Sequence, residues 1–245
     1  MTFSPEESRR YARHLVLKGM GGAGQQALAG GKILVIGAGG LGSPAIAYLA
    51  AAGVGALGVV DSDTVSVSNL QRQIVHTTAG IGRNKTDSAA GFVEALNPHV
   101  AVIAHTLVLQ PDNAQAIVGG YDLVLDGSDS LSTRRIVAAA CEALGKPLVS
   151  GAVGMFDGQL TIFAPHLHRA DGSAMPRFTE LYPVEAGDAD LPSCEASGVL
   201  GPLTGVIGTL MAMEAVKWLT GIGEPLLGRV LVYDSKGARF SEFAF

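Results

Sequence analysis

The strongest constraint on this chain is Gly37-Ala38-Gly39-Gly40-Leu41-Gly42, a GxGxxG between an apolar run, Ile33–Ile36, and a helical pattern, Gly42–Ala52. Glycines at this spacing let a strand turn sharply into a helix. The first N–H groups and the positive dipole end of that helix then make a cradle for phosphate. A second apolar run, Leu57–Val60, ends in Asp61, 19 residues after Gly42, the position from which a carboxylate reaches ribose hydroxyls. Together they predict a nucleotide site without deciding which nucleotide, because dehydrogenases share both features. The competing explanation is tight turns that serve only close helix packing.

Three further strand-like runs come next, Val100–Thr106, Leu123–Asp126 and Leu148–Ser150. They alternate with helical patterns at Lys85–Leu96, Asn113–Val118 and Leu131–Leu144. Such alternation means βαβ crossovers, so the expected fold is α/β: a Rossmann-like, doubly wound, mostly parallel sheet with helices on both faces. Hydrophobic residues make up 48% of the chain and charged ones 16%, which suits strands buried on both faces. The uncharged stretch from Ile33 to Val60 is long enough to imitate a membrane span. Seven glycines and Pro44 interrupt it, so it reads as strand, turn, helix, strand.

Upstream, Ser4-Pro5-Glu6-Glu7 is a capping box, and its helix is expected to reach Leu17 before Gly19–Gly24 ends it. A short helix at Gln25–Ala29 then leads into the first strand. Downstream, Gly158–Phe163 reads as a strand in a hairpin-like return, and Ala164–Ser193 has no period. Leu203–Leu219 is a strongly apolar helix, and Arg229–Tyr233 with Ala238–Phe243 forms a C-terminal antiparallel extension. One domain over 1–245 is expected, with N-terminal helices at 1–30, a nucleotide-binding part at 31–151, a mobile loop at 164–193, and a C-terminal helix and strands at 194–245.

The net charge of −5 argues against nucleic acid as a partner, since that binding relies on a basic surface. Two distant cysteines give no disulfide framework and suit a reducing compartment. The N-terminus lacks a signal-peptide apolar core, so the expectation is a cytoplasmic protein with no membrane association.

The segment beyond Asp61 narrows the nucleotide. Asp61-Ser62-Asp63 and then Ser68-Asn69-Leu70-Gln71-Arg72-Gln73 crowd polar side chains beside the expected ribose. Arg72 is long enough to reach a triphosphate, and Lys85 adds a second cation. Taken singly, each could be a helix cap or a solvated charge.

These residues, with Arg10-Tyr11-Ala12-Arg13, Asp126-Gly127-Ser128-Asp129 and Gly205-Val206-Ile207-Gly208, resemble the ThiF/MoeB/HesA family of ubiquitin-activating-enzyme-like adenylyltransferases over nearly the whole chain. The resemblance implies ATP as cofactor. The implied nucleotide-binding set is Gly37, Gly39, Gly40, Gly42, Asp61, Asp63, Ser68, Asn69, Leu70, Gln71, Arg72, Lys85, Asp129 and Ser130. Within it, Asp61 sits on ribose and Asn69 and Arg72 on the phosphates, while Asp129 holds Mg²⁺. Arg72, Lys85 and Asp129 would be catalytic, together with Arg13 reaching across a homodimer into the neighbour's site. The implied partner is a ubiquitin-like sulfur-carrier protein of the ThiS/MoaD type, ending in Gly-Gly, in thiamine, molybdopterin or related biosynthesis. A sulfur donor protein is a further implied partner.

Cys141, among Ala and Val, reads as a core residue. Cys194 ends the long loop where relatives carry a cysteine, in some of them bonded to the carrier; a covalent role and a passive one both stay open. Many relatives bind zinc through two CxxC pairs, which this chain lacks, so zinc is not expected. The alternative in the family is a dehydratase acting on a carboxylated tRNA base, threonylcarbamoyladenosine. Outside it, an NAD-dependent oxidoreductase would explain the glycine turn and Asp61 but not Asn69, Arg72, Lys85 and Asp129. A non-catalytic scaffold partner would commonly have lost catalytic cations such as Arg72 and Lys85, which remain here.

Overall fold

The structure is a computed structural model that describes residues 3–183 and 198–245. One sheet of eight strands organises it, in the order β3-β2-β1-β4-β5-β6-β7-β8. Strands β1 (Lys32–Ile36), β2 (Ala56–Val60), β3 (Ala101–His105), β4 (Leu123–Asp126) and β5 (Leu148–Gly154) run parallel. Strands β6 (Asp157–Phe163), β7 (Arg229–Asp234) and β8 (Arg239–Ala244) add antiparallel pairs. This is the expected doubly wound sheet with its C-terminal extension.

The alternation of each strand divides the core. Ile33 and Val35 point to the face covered by α4 (Gly42–Ala52), α5 (Lys85–Leu96) and the long α9 (Gly201–Thr220). Leu34 and Ile36 point to the face covered by α6 (Ala114–Val118) and α7 (Leu131–Ala143). Burying each large aliphatic side chain contributes about 1.5–3 kcal/mol, so the wrong register would cost the whole face. Cys141 lies in this second core, and burial pushes its thiol up to about 12. It is a packing residue. No helix among the described residues is long and apolar enough to cross a membrane.

Three elements depart from the sequence expectation. The N-terminal helix is not continuous to Leu17 but breaks at Tyr11 into α1 (Pro5–Arg10) and α2 (Ala12–Leu15). The cause is tertiary: the Tyr11 ring is buried against Gly53, and its hydroxyl accepts a hydrogen bond from Asn97 Nδ2 at 2.9 Å. The capping box at Ser4 forms as expected. Helix α3 (Gly21–Gly30) starts earlier than expected and takes in glycines read as a helix end. Strand β5 runs on to Gly154, because pairing with β6 through a turn at Met155-Phe156 satisfies its backbone there.

The sequence, which has no CxxC pair, left open what closes this end of the sheet. Here the segment after β6 folds back and includes α8 (Phe178–Leu181). Phe163 meets Phe178 and Phe245 edge-on, at centroid distances of 5.4 and 6.1 Å, and Phe178 stacks on Tyr182. Arg169 donates to the Phe245 carbonyl, and the Phe245 N–H donates to Gly228 O at 3.1 Å. Among the described residues no group of three or more His, Cys, Asp or Glu could hold a metal ion. Two results are expected: EDTA leaves the Tm unchanged, and Phe163→Ala lowers unfolding free energy in urea by about 3–5 kcal/mol. A Tm lowered by chelator would show that a metal holds this end. The expected loop 164–193 is described only to Pro183; its remainder, with Cys194, lies outside the described residues.

Candidate active site

Strand order reverses between β1 and β4, which lead to crossovers on opposite faces. In such sheets the crevice at the carboxyl ends of the strands is where ligands bind. A cleft of about 600 Å³ lies there, a volume suited to a small-molecule ligand. It runs from the ends of β1, β2 and β4, beside Leu107–Leu109, to the β5–β6 hairpin, Ala152–Met155 and Asp157–Gln159.

Gly37-Ala38-Gly39-Gly40-Leu41 forms one wall. Gly37 has φ +87°, a left-handed conformation that side chains disfavour. Gly42, first in α4, packs so closely that an added Cβ would sit 1.8 Å from the Gly37 carbonyl oxygen. No side chain caps α4, so the positive end of its dipole is open to an anion. Gly37, Gly39 and Gly40 line the cleft, whereas Gly42 stands behind it as a packing position.

Asp61, at the end of β2, accepts from the Ala38 N–H at 2.8 Å and from the Asp63 N–H at 2.9 Å. Lys85, the first residue of α5, is buried, and its Nζ lies 2.8 Å from Asp63 and 3.9 Å from Asp61. The cation thus stands beside the cleft already held by two carboxylates. An entering polyphosphate would add to that set rather than meet a lone charge.

Arg72 lines the cleft and donates to the Ser68 carbonyl at 3.1 Å. Ser68, Asn69, Leu70 and Gln71 do not line it. They belong to a 3-10 turn, Val67–Asn69, and its exit, in which Asn69 Oδ1 accepts from the Ser66 N–H at 3.2 Å. Asn69 Oδ1 is therefore a local cap, and a phosphate contact would draw on its Nδ2. Asp129, just past β4, is exposed and lines the cleft, while Ser130 caps α7 by accepting from the Thr133 N–H. Arg13 is exposed on α2, away from the cleft of its own chain.

Sequence reasoning missed several residues. Arg134 is buried in the cleft wall and donates to the carbonyls of Ser128 and Gly151, at 2.5 and 2.8 Å. Asp126 accepts from the N–H and hydroxyl of Ser128. Ser128 is thus held on both sides, which fixes the backbone that presents Asp129. Gln159 and Tyr182, hydrogen-bonded to each other, line the far end. Arg134, five residues past Asp129 on a predicted helix, had a weak local signal. Gln159 and Tyr182 had none.

The fold and the site define an α/β protein whose glycine turn, cations and carboxylates gather at one cleft at the carboxyl ends of the strands. The chain belongs to the ThiF family, whose model matches residues 11–245. It is 46% identical over 235 residues to the probable adenylyltransferase/sulfurtransferase MoeZ of Mycobacterium tuberculosis, covering 95% of this chain and 58% of that protein. To the sulfur carrier protein adenylyltransferase of Thermus thermophilus it is 46% identical over 241 residues, covering 98% of this chain and 88% of the relative. The chain therefore spans little more than half of the first relative and most of the second. The solved structure of E. coli MccB with ATP shares the fold at a TM-score of 0.80 and 17% identity, covering 99% of this chain and 72% of that one.

Proposed function

We propose that the chain is an ATP-dependent adenylyltransferase that activates the C-terminal carboxylate of a small ubiquitin-like sulfur-carrier protein. The observation that carries this is the convergence of Arg72, Lys85, Asp129 and the glycine turn on one cleft that continues beyond the nucleotide end. Names of the relatives at 46% identity support the same activity. A cytoplasmic location fits this chemistry, and so does a single adenylation domain over 1–245.

The carrier's carboxylate is ionised at neutral pH, so attack on the α-phosphate of ATP needs no general base. The difficulty is bringing one anion to another and spreading charge in the transition state. Arg72 and Lys85 are preorganised to oppose both, and the turn with the start of α4 orients the phosphates. The bond between the α- and β-phosphates breaks, giving an acyl-adenylate and pyrophosphate. Mg²⁺ is held by one or two carboxylates plus substrate phosphates, and an exposed Asp129 on a fixed backbone fits that donor set. The ion supplies further charge neutralisation on the phosphates. Asp129→Asn is expected to raise the Mg²⁺ concentration for half-maximal exchange about tenfold or more. An unchanged Mg²⁺ titration would remove Asp129 from that role.

Arg13 acting in trans is supported by its exposure on α2 beside Val16 and Leu17, apolar side chains 79% and 57% exposed. Mixing inactive Arg13→Ala and Arg72→Ala proteins is expected to restore activity, because a heterodimer has one site with both arginines intact. Mixtures as inactive as either parent would refute the exchange of arginines. The overall reading is tested by ATP–pyrophosphate exchange with candidate carriers ending in Gly-Gly, each beside its tail-truncated form. Exchange requires the intact tail if the reading is right; exchange equal with both forms would overturn it.

A further inference from the structure

His76 has no part in the reaction as proposed, yet it is 6% exposed and both its ring nitrogens are engaged. It lies in the irregular segment after Gln73 and joins two other pieces of the site. Its Nε2 is 2.9 Å from the carbonyl oxygen of Ala38, inside the glycine turn. Its Nδ1 is 2.9 Å from Ser88 Oγ, on α5 one turn beyond Lys85.

A carbonyl can only accept, so Nε2 must carry the hydrogen. Burial pulls the His76 pKa below the ordinary histidine value, with the Ala38 hydrogen bond opposing that shift. In the neutral ring Nδ1 is then an acceptor, and the Ser88 hydroxyl donates to it. Ala38 itself is fully buried, and its N–H already donates to Asp61. Its amide and its carbonyl are thus each held by a side chain, Asp61 on one side and His76 on the other. Rotating this unit would strand a buried carbonyl, which is costly. With Ala38 pinned, the next two glycines, Gly39 and Gly40, are presented to the cleft.

We propose that His76 is a positioning residue for nucleotide binding: as its Nε2–H tautomer it fixes the Ala38 carbonyl and ties the glycine turn to the helix that bears Lys85. This rests on the cleft being an ATP site. The effect acts through the share of molecules whose turn is ready to bind, so it enters affinity for nucleotide rather than the chemical step.

Two substitutions separate the two ring contacts. His76→Gln places an amide donor near the Nε2 position and keeps the bond to Ala38, whereas His76→Asn reaches only the Nδ1 position and keeps the contact with Ser88. In the full chain, His76→Asn is expected to raise the Kd for ATP by about tenfold or more, with kcat of exchange at saturating ATP little changed. His76→Gln stays within about threefold of the wild type. Long-range proton–nitrogen NMR of the nucleotide-free wild type is expected to show His76 neutral and protonated at Nε2. Wild-type affinity in His76→Asn, or equal losses in both variants, would overturn the proposal. So would an Nδ1–H ring, and that measurement needs neither variant to fold nor any nucleotide to bind. A wild type that binds no adenine nucleotide refutes the ATP reading instead, and the tautomer still decides the hydrogen bond.

Discussion

Replacing Arg72 with alanine is expected to lower ATP–pyrophosphate exchange by about a hundredfold or more, with little change in Tm. The rate estimate takes the loss of one preorganised transition-state donor as about 2.7–4 kcal/mol. The stability estimate comes from the surroundings: Arg72 is partly exposed, and its one described hydrogen bond, to the Ser68 carbonyl, is also exposed. Arg72→Lys keeps the charge but loses the planar fork, and should recover only part of the rate. Near-normal exchange in the alanine variant would remove Arg72 from the phosphate site and with it the mechanism.

Gly42→Ala is expected to damage both stability and nucleotide binding. Its Cβ would lie 1.8 Å from Gly37 O and 2.9 Å from Gly37 C, both backbone atoms that cannot swing aside. Either α4 moves away from the turn or Gly37 leaves its left-handed conformation. Overpacking of this kind costs about 1–3 kcal/mol and sometimes more, so Tm should fall and ATP affinity should be lost. Gly91→Ala, within α5, is the control: nothing lies within 4 Å of its Cβ, and a gain of about 0.4–1 kcal/mol is expected. A Gly42→Ala protein with wild-type Tm and affinity would mean that the turn is not built as described.

Local information in the chain runs out at identifiable places. Helices α4 and α5 have the expected ends at both termini, because a glycine turn, a cap position and an apolar period all act within a few residues. The break at Tyr11 was not legible, since it depends on Asn97 and Gly53, far away in the chain. The site divides in the same way. Asp61, Lys85 and Asp129 sit where a strand or helix end would put them. Asn69, expected on phosphate, uses its Oδ1 to cap its own turn, and a phosphate contact would draw on its Nδ2 instead. Arg134, Gln159 and Tyr182 meet the cleft only after strands β4, β5 and β6 are assembled, and His76 meets its wall only when the glycine turn and α5 come together.

By itself the sequence determined the doubly wound class, the glycine turn, the acid at the end of β2 and the family, because each rests on patterns that are read in order along the chain. The tertiary structure alone decided which side chains share the cleft, how Lys85 is held by Asp61 and Asp63, and what closes the sheet around Phe163. It also decided that Ala38 and Ser128 are each gripped from both sides. Those outcomes depend on distances between segments that a linear pattern does not encode, and they are fixed only when the two faces of the sheet bury their separate cores.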